Sequence, residues 1–331
     1  MKKKEFIGID VSKKTLDVWL YFAREYNKFE NNPKGHAKLL QWIKQLVSVD
    51  LETTVFCFEH TGIYSFPLCI YLTEQGITYY QVSGLMVKRS LGLARGKNDK
   101  VDAKHLAEFA FRHHDRLVPY QIPSKTVLAL KKLIALRIRF VRQRSGFKNE
   151  VREIKAMGLT SLHQEVMDQS REMISILNKK IKFLEKKIKC LISDNPEVNQ
   201  TFTKITAIKG VGMILGATMI ASTNNFKSFD RWRKFACYVG TAPFEHLSGT
   251  SYRGRTRVSV LGNRHIKSTL WLAALSSIQY NPEMKEYYHR KVDEGKPKLA
   301  VLNGVCNKLL SRIFAVALRK DAFVDIYKFA A

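Results

Sequence analysis

The chain has 331 residues, with 56 lysines and arginines against 29 aspartates and glutamates, a formal charge of +27. With 45% hydrophobic and 11% aromatic residues it is a folded protein rather than a disordered one, long enough for two or three cores. Positive charge of that size, spread along the whole chain, points to a polyanion and above all to nucleic acid.

An anionic membrane is the competing partner, but no apolar run approaches the ~20 residues of a spanning helix. The basic start, MKKKEFIGIDVS, lacks the long apolar core of a signal peptide. Cys57, Cys69, Cys190, Cys237 and Cys306 have no CxxC spacing. They are expected to be reduced core residues of a cytoplasmic protein, neither disulfides nor a zinc site.

In chain order, residues 6–9 are a short apolar run that ends at Asp10. A turn at 12–14 and an alternating stretch at 15–21, with Leu16, Val18 and Leu20 set against Asp17 and Trp19, predict a hairpin. Residues 25–30 supply a third strand of the meander. Helical spacing after Gly35, a buried strand over 54–58 that ends at Glu59, a helix over 65–74 and a strand over 77–82 follow. Together they predict a mixed α/β sheet with crossovers. Asp10 and Glu59 thus stand at or just past the ends of two apolar strands, where a carboxylate is costly to bury unless a cation meets it.

The stretch RGKNDKVDAKH, residues 95–105, follows a basic run that includes Lys88, Arg89, Arg95 and Lys97. Asn98 or Asp99 suits the N-cap of a helix, which sets Asp99 and Asp102 three residues apart on one side. Two readings of this pair are open. Alone, the carboxylates complement the helix dipole; together with Asp10 and Glu59 they are the acids of a divalent-metal site beside a phosphate.

After Pro119 and Pro123, residues 126–157 read as a long basic helix carrying Arg137 and Arg144 among others. A second helix, 164–193, repeats Ile174, Leu177, Ile181, Leu184, Ile188 and Leu191 at spacings of three and four, a coiled-coil seam. It serves either an intramolecular hairpin or self-association. Residues 205–220 resemble a helix-hairpin-helix whose turn, IKGVG, holds Lys209, Gly210 and Gly212. Amides of such a turn meet DNA phosphates without reading sequence; a plain turn between core helices is the alternative.

Residues 241–267 are rich in Ser, Thr and Gly, with no acid after Glu245 and with Arg253, Arg255, Arg257 and Arg264. This is read as a phosphate-binding loop, or as one whose hydroxyl (Ser248, Thr250, Ser251 or Ser259) is a nucleophile with arginines offsetting the developing charge. Helices over 268–280, 282–292 and 297–320 close the chain. The expected regions are 1–120, an α/β metal-binding domain; 121–195, a basic helical region; and 196–331, a mostly helical domain with the serine loop.

In order, FIGIDVSKKTLDV, FEHTGIY, KNDKVDAKHLAEF, IKGVG, FACYVGTAP, LSGTSYRG and GNRHIKSTLW resemble the landmarks of a family spanning nearly the whole chain. These are the DEDD transposases of one group of bacterial insertion sequences, related to the pilin-gene invertase and understood as bridge-RNA-guided serine recombinases. The resemblance implies an RNase H-like (RuvC-like) N-terminal domain with Asp10, Glu59, Asp99 and Asp102 as ligands of Mg²⁺, or Mn²⁺. It also implies a coiled-coil insertion used for dimerisation and a C-terminal transposase domain. There Ser248 attacks a DNA phosphodiester to give a covalent phosphoserine. The implied partners are double-stranded DNA at the element ends and target, a structured guide RNA and further copies of the chain, as a dimer or a tetramer. The implied setting is the bacterial nucleoid, without a membrane. Two other readings compete: a metal-dependent, Holliday-junction-type nuclease with water as nucleophile, and a non-catalytic nucleic-acid-binding protein.

Overall fold

The computed structural model describes residues 4–46, 51, 53–90, 98–248 and 252–319. They fall into two compact units, Met1–Ile122 and Pro123–Ala331.

The first unit runs β1 (Phe6–Val11), β2 (Thr15–Leu20), β3 (Tyr26–Glu30), α1 (Pro33–Leu46), β4 (Val55–Glu59), α2 (Phe66–Glu74), β5 (Tyr79–Val82), α3 (Gly84–Ser90) and α4 (Asp99–His113). The sheet order is β3-β2-β1-β4-β5. The meander β1–β2–β3 is antiparallel, whereas β4 and β5 join β1 in parallel through helical crossovers. This is the mixed sheet predicted from the strand pattern and is compatible with an RNase H-like domain. Helix α3 was not anticipated, because seven residues are too few to show an apolar period.

Alternation along the strands sorts the two faces. Ile7, Ile9, Val11, Leu16, Val18 and Leu20 enter one core with Leu39 and Ile43 of α1 and Leu68 and Leu72 of α2. Phe6, Val55 and Cys57 enter the opposite core with Leu106, Phe109 and Ala110 of α4. Gly8 lets α4 lie directly on β1. A Cβ there would stand 2.1 Å from the Ala103 carbonyl oxygen and 2.3 Å from the Ala107 nitrogen, so only glycine permits this backbone approach. The start of α4 is set by Asn98, whose side chain accepts a hydrogen bond from the Val101 amide at 2.8 Å, as the sequence suggested.

The second unit contains α5 (Lys125–Ala156), α6 (Gln164–Ser193), α7 (Pro196–Thr206), α8 (Met213–Thr223), α9 (Trp232–Val239), β6 (Pro243–Ser248), β7 (Tyr252–Val258), α10 (Arg264–Tyr280), α11 (Pro282–Asp293) and α12 (Lys298–Leu318). Helices α5 and α6 form an antiparallel hairpin. Arg137 pairs with Glu185, Arg144 with Asn178, and Ser170 with Glu150, so partners descend along one helix as they ascend the other. Leu177, Ile181, Leu184 and Ile188 are buried, while Ile174 and Leu191 are half-buried. The seam is thus occupied within the chain. At the base of the hairpin, Val127, Leu130, Ile134, Ile188 and Ile192 share one core with Phe235, Leu270, Leu309 and Phe314.

Residues 241–267, expected as a loop, are largely a β-hairpin: β6 and β7 pair antiparallel, with a register shift between Phe244 and His246. Its two ends are clamped. A Cβ on Gly262 would lie 2.5 Å from the Gly240 Cα, and Asn303 and Asn307 of α12 both donate to the Thr241 carbonyl, at 2.9 and 3.0 Å. These long-range clamps, with Thr256 and Val258 favouring strand, outweigh the Ser/Gly composition that suggested a loop.

Two further expectations need correction. Helix α12 is long and apolar enough to cross a membrane by length and composition, with half of its most apolar window buried; Val305, Leu309 and Ile313 belong to the core. All five cysteines are free, but only Cys57, Cys69 and Cys306 are buried. Cys190 and Cys237 fall on outward positions of α6 and α9.

Candidate metal centre and nucleic-acid surface

The acids of the first unit gather at one end of the sheet, on the face that α4 covers. Asp10 is the penultimate residue of β1 and Glu59 the last of β4, both half-buried. Asp99 opens α4 and is exposed, whereas Asp102, in its first turn, is half-buried. Because Gly8 brings the Ala103–Ala107 turn onto β1, the preceding turn of α4 comes beside Asp10, two residues further along the strand.

The electrostatics follow. Burial, then the charges of Asp102, Asp99, Asp17 and Glu59, push the Asp10 carboxyl from 3.8 up to about 6. Among the described residues, no three His, Cys, Asp or Glu side chains already stand together as a metal-binding group. The donor chemistry nevertheless fits a hard divalent cation: the carboxylates raise one another's energy, and a cation relieves that repulsion.

A fifth acid, Asp17, was not singled out from the sequence. It is the antiparallel partner of Asp10 across β1 and β2, its side chain is 1% exposed, and it accepts a hydrogen bond from the Tyr26 hydroxyl at 2.5 Å. That bond holds the Tyr26 phenol up at about 12. Lys28, the cross-strand partner of Asp17 on β3, places Nζ 3.2 Å from Asp17 and 3.7 Å from Asp99. Lys28 is therefore a counter-charge built into the edge of the cluster. The signal was present in the hairpin: a turn centred on residues 13 and 14 pairs residue 10 with residue 17.

Glu59 is seated by a glycine that sequence reasoning also passed over. A Cβ on Gly84, the first residue of α3, would stand 2.1 Å from Glu59 Oε1 and 2.6 Å from Oε2. Gly84→Ala is expected to displace the Glu59 carboxylate while leaving the fold intact, because α3 is short and at the surface. If Glu59 is a metal ligand, Mg²⁺ affinity should fall by about tenfold, the lower range for losing support of a ligand. Mg²⁺ titration by calorimetry measures this, and unchanged affinity would refute the role of Gly84.

In the second unit, six of the residues expected at nucleic acid come together. Arg137, Arg144, Lys209, Gly210, Gly212 and Arg264 all line one cavity of about 980 Å³ bounded by α5, the turn between α7 and α8, and the start of α10. Arg142, another cation of the basic helix, lines it too, as does His265, which was not singled out. Burial, then the charges of Arg142 and Arg137, holds His265 below the usual histidine range.

The remaining predicted residues are elsewhere. Ser248 ends β6, paired through the backbone with Tyr252; Arg253, Arg255 and Arg257 lie in β7, and Arg257 is exposed. The Ser259 hydroxyl accepts from the Leu261 amide at 3.2 Å. Lys97, Thr250 and Ser251 lie outside the described residues.

Two family models match the chain. A DEDD transposase model of the IS110 type, described as "Transposase", matches residues 7–155, a span that contains all four predicted acids. A second, described as "Transposase IS116/IS110/IS902 family", matches residues 203–289, which include Ser248. The pilin gene-inverting protein of Moraxella bovis is 26% identical over 97% of this chain and 98% of its own length. A probable family 20 transposase of Pseudomonas aeruginosa is 24% identical, covering 69% of this chain and 74% of that protein. An uncharacterized 43.6 kDa protein of insertion element IS110 from Streptomyces coelicolor is 29% identical over 43% of this chain and 34% of its own.

Proposed function

The chain belongs to the IS110/IS116 family of DEDD transposases, which act in DNA recombination, and from that premise we propose an RNA-guided, Mg²⁺-dependent recombinase of an insertion sequence with Ser248 as its nucleophile. The observation that carries this is the meeting of strand-end and helix-start acids around Asp10, whose carboxyl is raised first by burial and then by the charges of Asp102, Asp99, Asp17 and Glu59. Isolated dipole complements at α4 would not need Asp10 and Glu59 beside them.

In this reading Asp10, Glu59, Asp99 and Asp102 hold the ion, and Lys28 steadies Asp99 from the side. A divalent ion held there would supply charge neutralisation at the phosphate and would ease loss of a hydroxyl proton. The Ser248 oxygen forms a bond to phosphorus, a phosphorus–oxygen bond of the DNA breaks, and the departing sugar oxygen takes up a proton. Arginines of β7 offset charge on the phosphate. The basic face of α5 grips backbone phosphates of DNA at the element ends and target, and the α7–α8 turn holds a phosphate of the DNA or of a structured guide RNA. A dimer, or a tetramer assembled on DNA in the bacterial nucleoid, supplies the paired subunits that strand exchange needs. Because the α6 seam is occupied internally, the exposed apolar side chains Ile176 and Phe183 of α6 are the surface offered for self-association.

The test is incubation of the purified chain with labelled element-end DNA, the flanking non-coding RNA and Mg²⁺, resolved on a denaturing gel. A protein–DNA adduct that needs both Mg²⁺ and RNA is expected. Free hydrolysed ends without an adduct would favour water as the nucleophile instead, and an adduct formed equally well without RNA would remove the guide.

A further inference from the structure

We propose that the cavity walled by α5, the α7–α8 turn and the start of α10 takes one unpaired nucleotide of a nucleic-acid strand, its phosphate on the turn and its base inside. The proposal rests on reading the second unit as nucleic-acid-binding, and it adds the form of the ligand.

Charge selects an anion. Arg137, Arg142, Arg144, Lys209 and Arg264 line the cavity, and no aspartate or glutamate does. The turn is set for phosphate: α8 begins at Gly212 with no side chain capping its first amides, which leaves those donors and the positive end of the helix dipole to a ligand. The turn is also fixed in place. Gly210 has φ of 97°, a Cβ on it would lie 1.8 Å from Ser277 Oγ, and that hydroxyl donates to the Lys209 carbonyl at 3.1 Å.

The rest of the cavity suits a base rather than more phosphate. Ile138, Val141, Leu215 and Leu272 form apolar wall, which a continuous duplex backbone would place against charge at a cost. A base offers apolar faces to such a wall and polar edges to hydrogen-bonding groups. His265 Nε2 and Arg144 Nε are buried with no hydrogen-bond partner among the described residues. At about 980 Å³ the cavity is at the upper end of the range for small-ligand sites, roughly 300–1,000 Å³, ample for a nucleotide and its flanking phosphate. A base paired in a duplex cannot enter, so the ligand is a loop, bulge, end or displaced strand.

The experiment uses the full chain and Gly212 variants, since a Cβ at Gly212 meets no atom and its φ of −81° suits any residue. Four labelled probes are titrated by anisotropy: a short DNA strand, the RNA of the same sequence, the DNA as a blunt duplex, and the DNA strand with a central abasic site. Gly212→Val is expected to weaken binding of the intact strand about tenfold and of the duplex less than about twofold. Gly212→Ala should give a smaller loss of the same pattern, which keeps the test valid if the valine variant melts early. The abasic strand should bind the wild-type chain more weakly than the intact one, and the tighter of the DNA and RNA strands identifies the source of the nucleotide. Equal losses on strand and duplex, no loss on either, or undiminished binding of the abasic strand would overturn the proposal while leaving the nucleic-acid reading standing. A wild-type chain that binds none of the four probes would instead overturn that reading.

Discussion

Ser248→Ala is expected to bring strand exchange at least about 10³-fold below wild type, the scale on which removal of a covalent nucleophile acts, and to eliminate the protein–DNA adduct. Thr250→Ala and Ser251→Ala should retain the adduct. A serine hydroxyl is a weak nucleophile at neutral pH, so its oxygen contributes only when a base or a metal-polarised phosphate assists it; without it the covalent route has no starting atom. Ser248 is held in the hairpin by its backbone pairing with Tyr252, and the clamps that place the hairpin lie at its other end, at Gly240, Gly262 and Thr241. Denaturing gels of the three variants decide the matter. An adduct surviving in Ser248→Ala would transfer the nucleophile to another hydroxyl, and retained cleavage with hydrolysed ends would leave the serine a phosphate contact only.

Asp10→Asn should both inactivate and stabilise. The Asp10 carboxyl titrates at about 6 in the folded chain against 3.8 ordinarily, so the native state holds this proton more tightly than the unfolded one. Stability is then full below the ordinary value, declines as pH rises through about 6, and stays reduced above it. The penalty at pH 8 is about 1 kcal/mol once solvent screening of a half-exposed group is allowed for. Asparagine removes it, raising the melting temperature of the metal-free protein by a few degrees at pH 8 and leaving it unchanged near pH 4. Mg²⁺ should raise the wild-type melting temperature, as any ligand of the folded state does, but not that of the variant. Strand exchange should fall about 10²–10³-fold or more, the loss seen when one charge-stabilising group is removed. Calorimetric scans with and without Mg²⁺ at both pH values measure every part of this. A variant that melts lower than wild type at pH 8, or that still gains stability from Mg²⁺, would show that Asp10 is not the centre of a repelling metal-binding cluster.

Local patterns in the chain were enough for much of the frame. The alternation of 15–21 and the apolar run of 6–9 specify strands, and these became β2 and β1, with Asp10 next to last in β1. The Asn98 cap and the three-residue spacing of Asp99 and Asp102 specify the head of α4, and the heptad-like repeat of 164–193 specifies α6. Each of these is a short-range property: period, cap and turn chemistry lie within a few consecutive residues and survive without knowledge of neighbours.

Tertiary structure decided what those elements meet. Asp17 joins the acids only because strand pairing sets it opposite Asp10. Lys28 reaches Asp99 only because β3 lies beside β2 and α4 crosses the same face. The α6 seam could have faced another chain, yet it is covered by α5, as the descending pairs from Arg137 to Glu185 and Glu150 to Ser170 show. Residues 241–267 have the composition of a loop and became a hairpin through clamps on α9 and α12. The glycines carry the same lesson. Gly8 against Ala103 and Gly84 against Glu59 matter for the side chain they lack, and a missing side chain leaves no periodic trace. Its role exists only when distant backbone or a carboxylate is packed into the space, which is a property of chain reversal and close packing rather than of any window of residues.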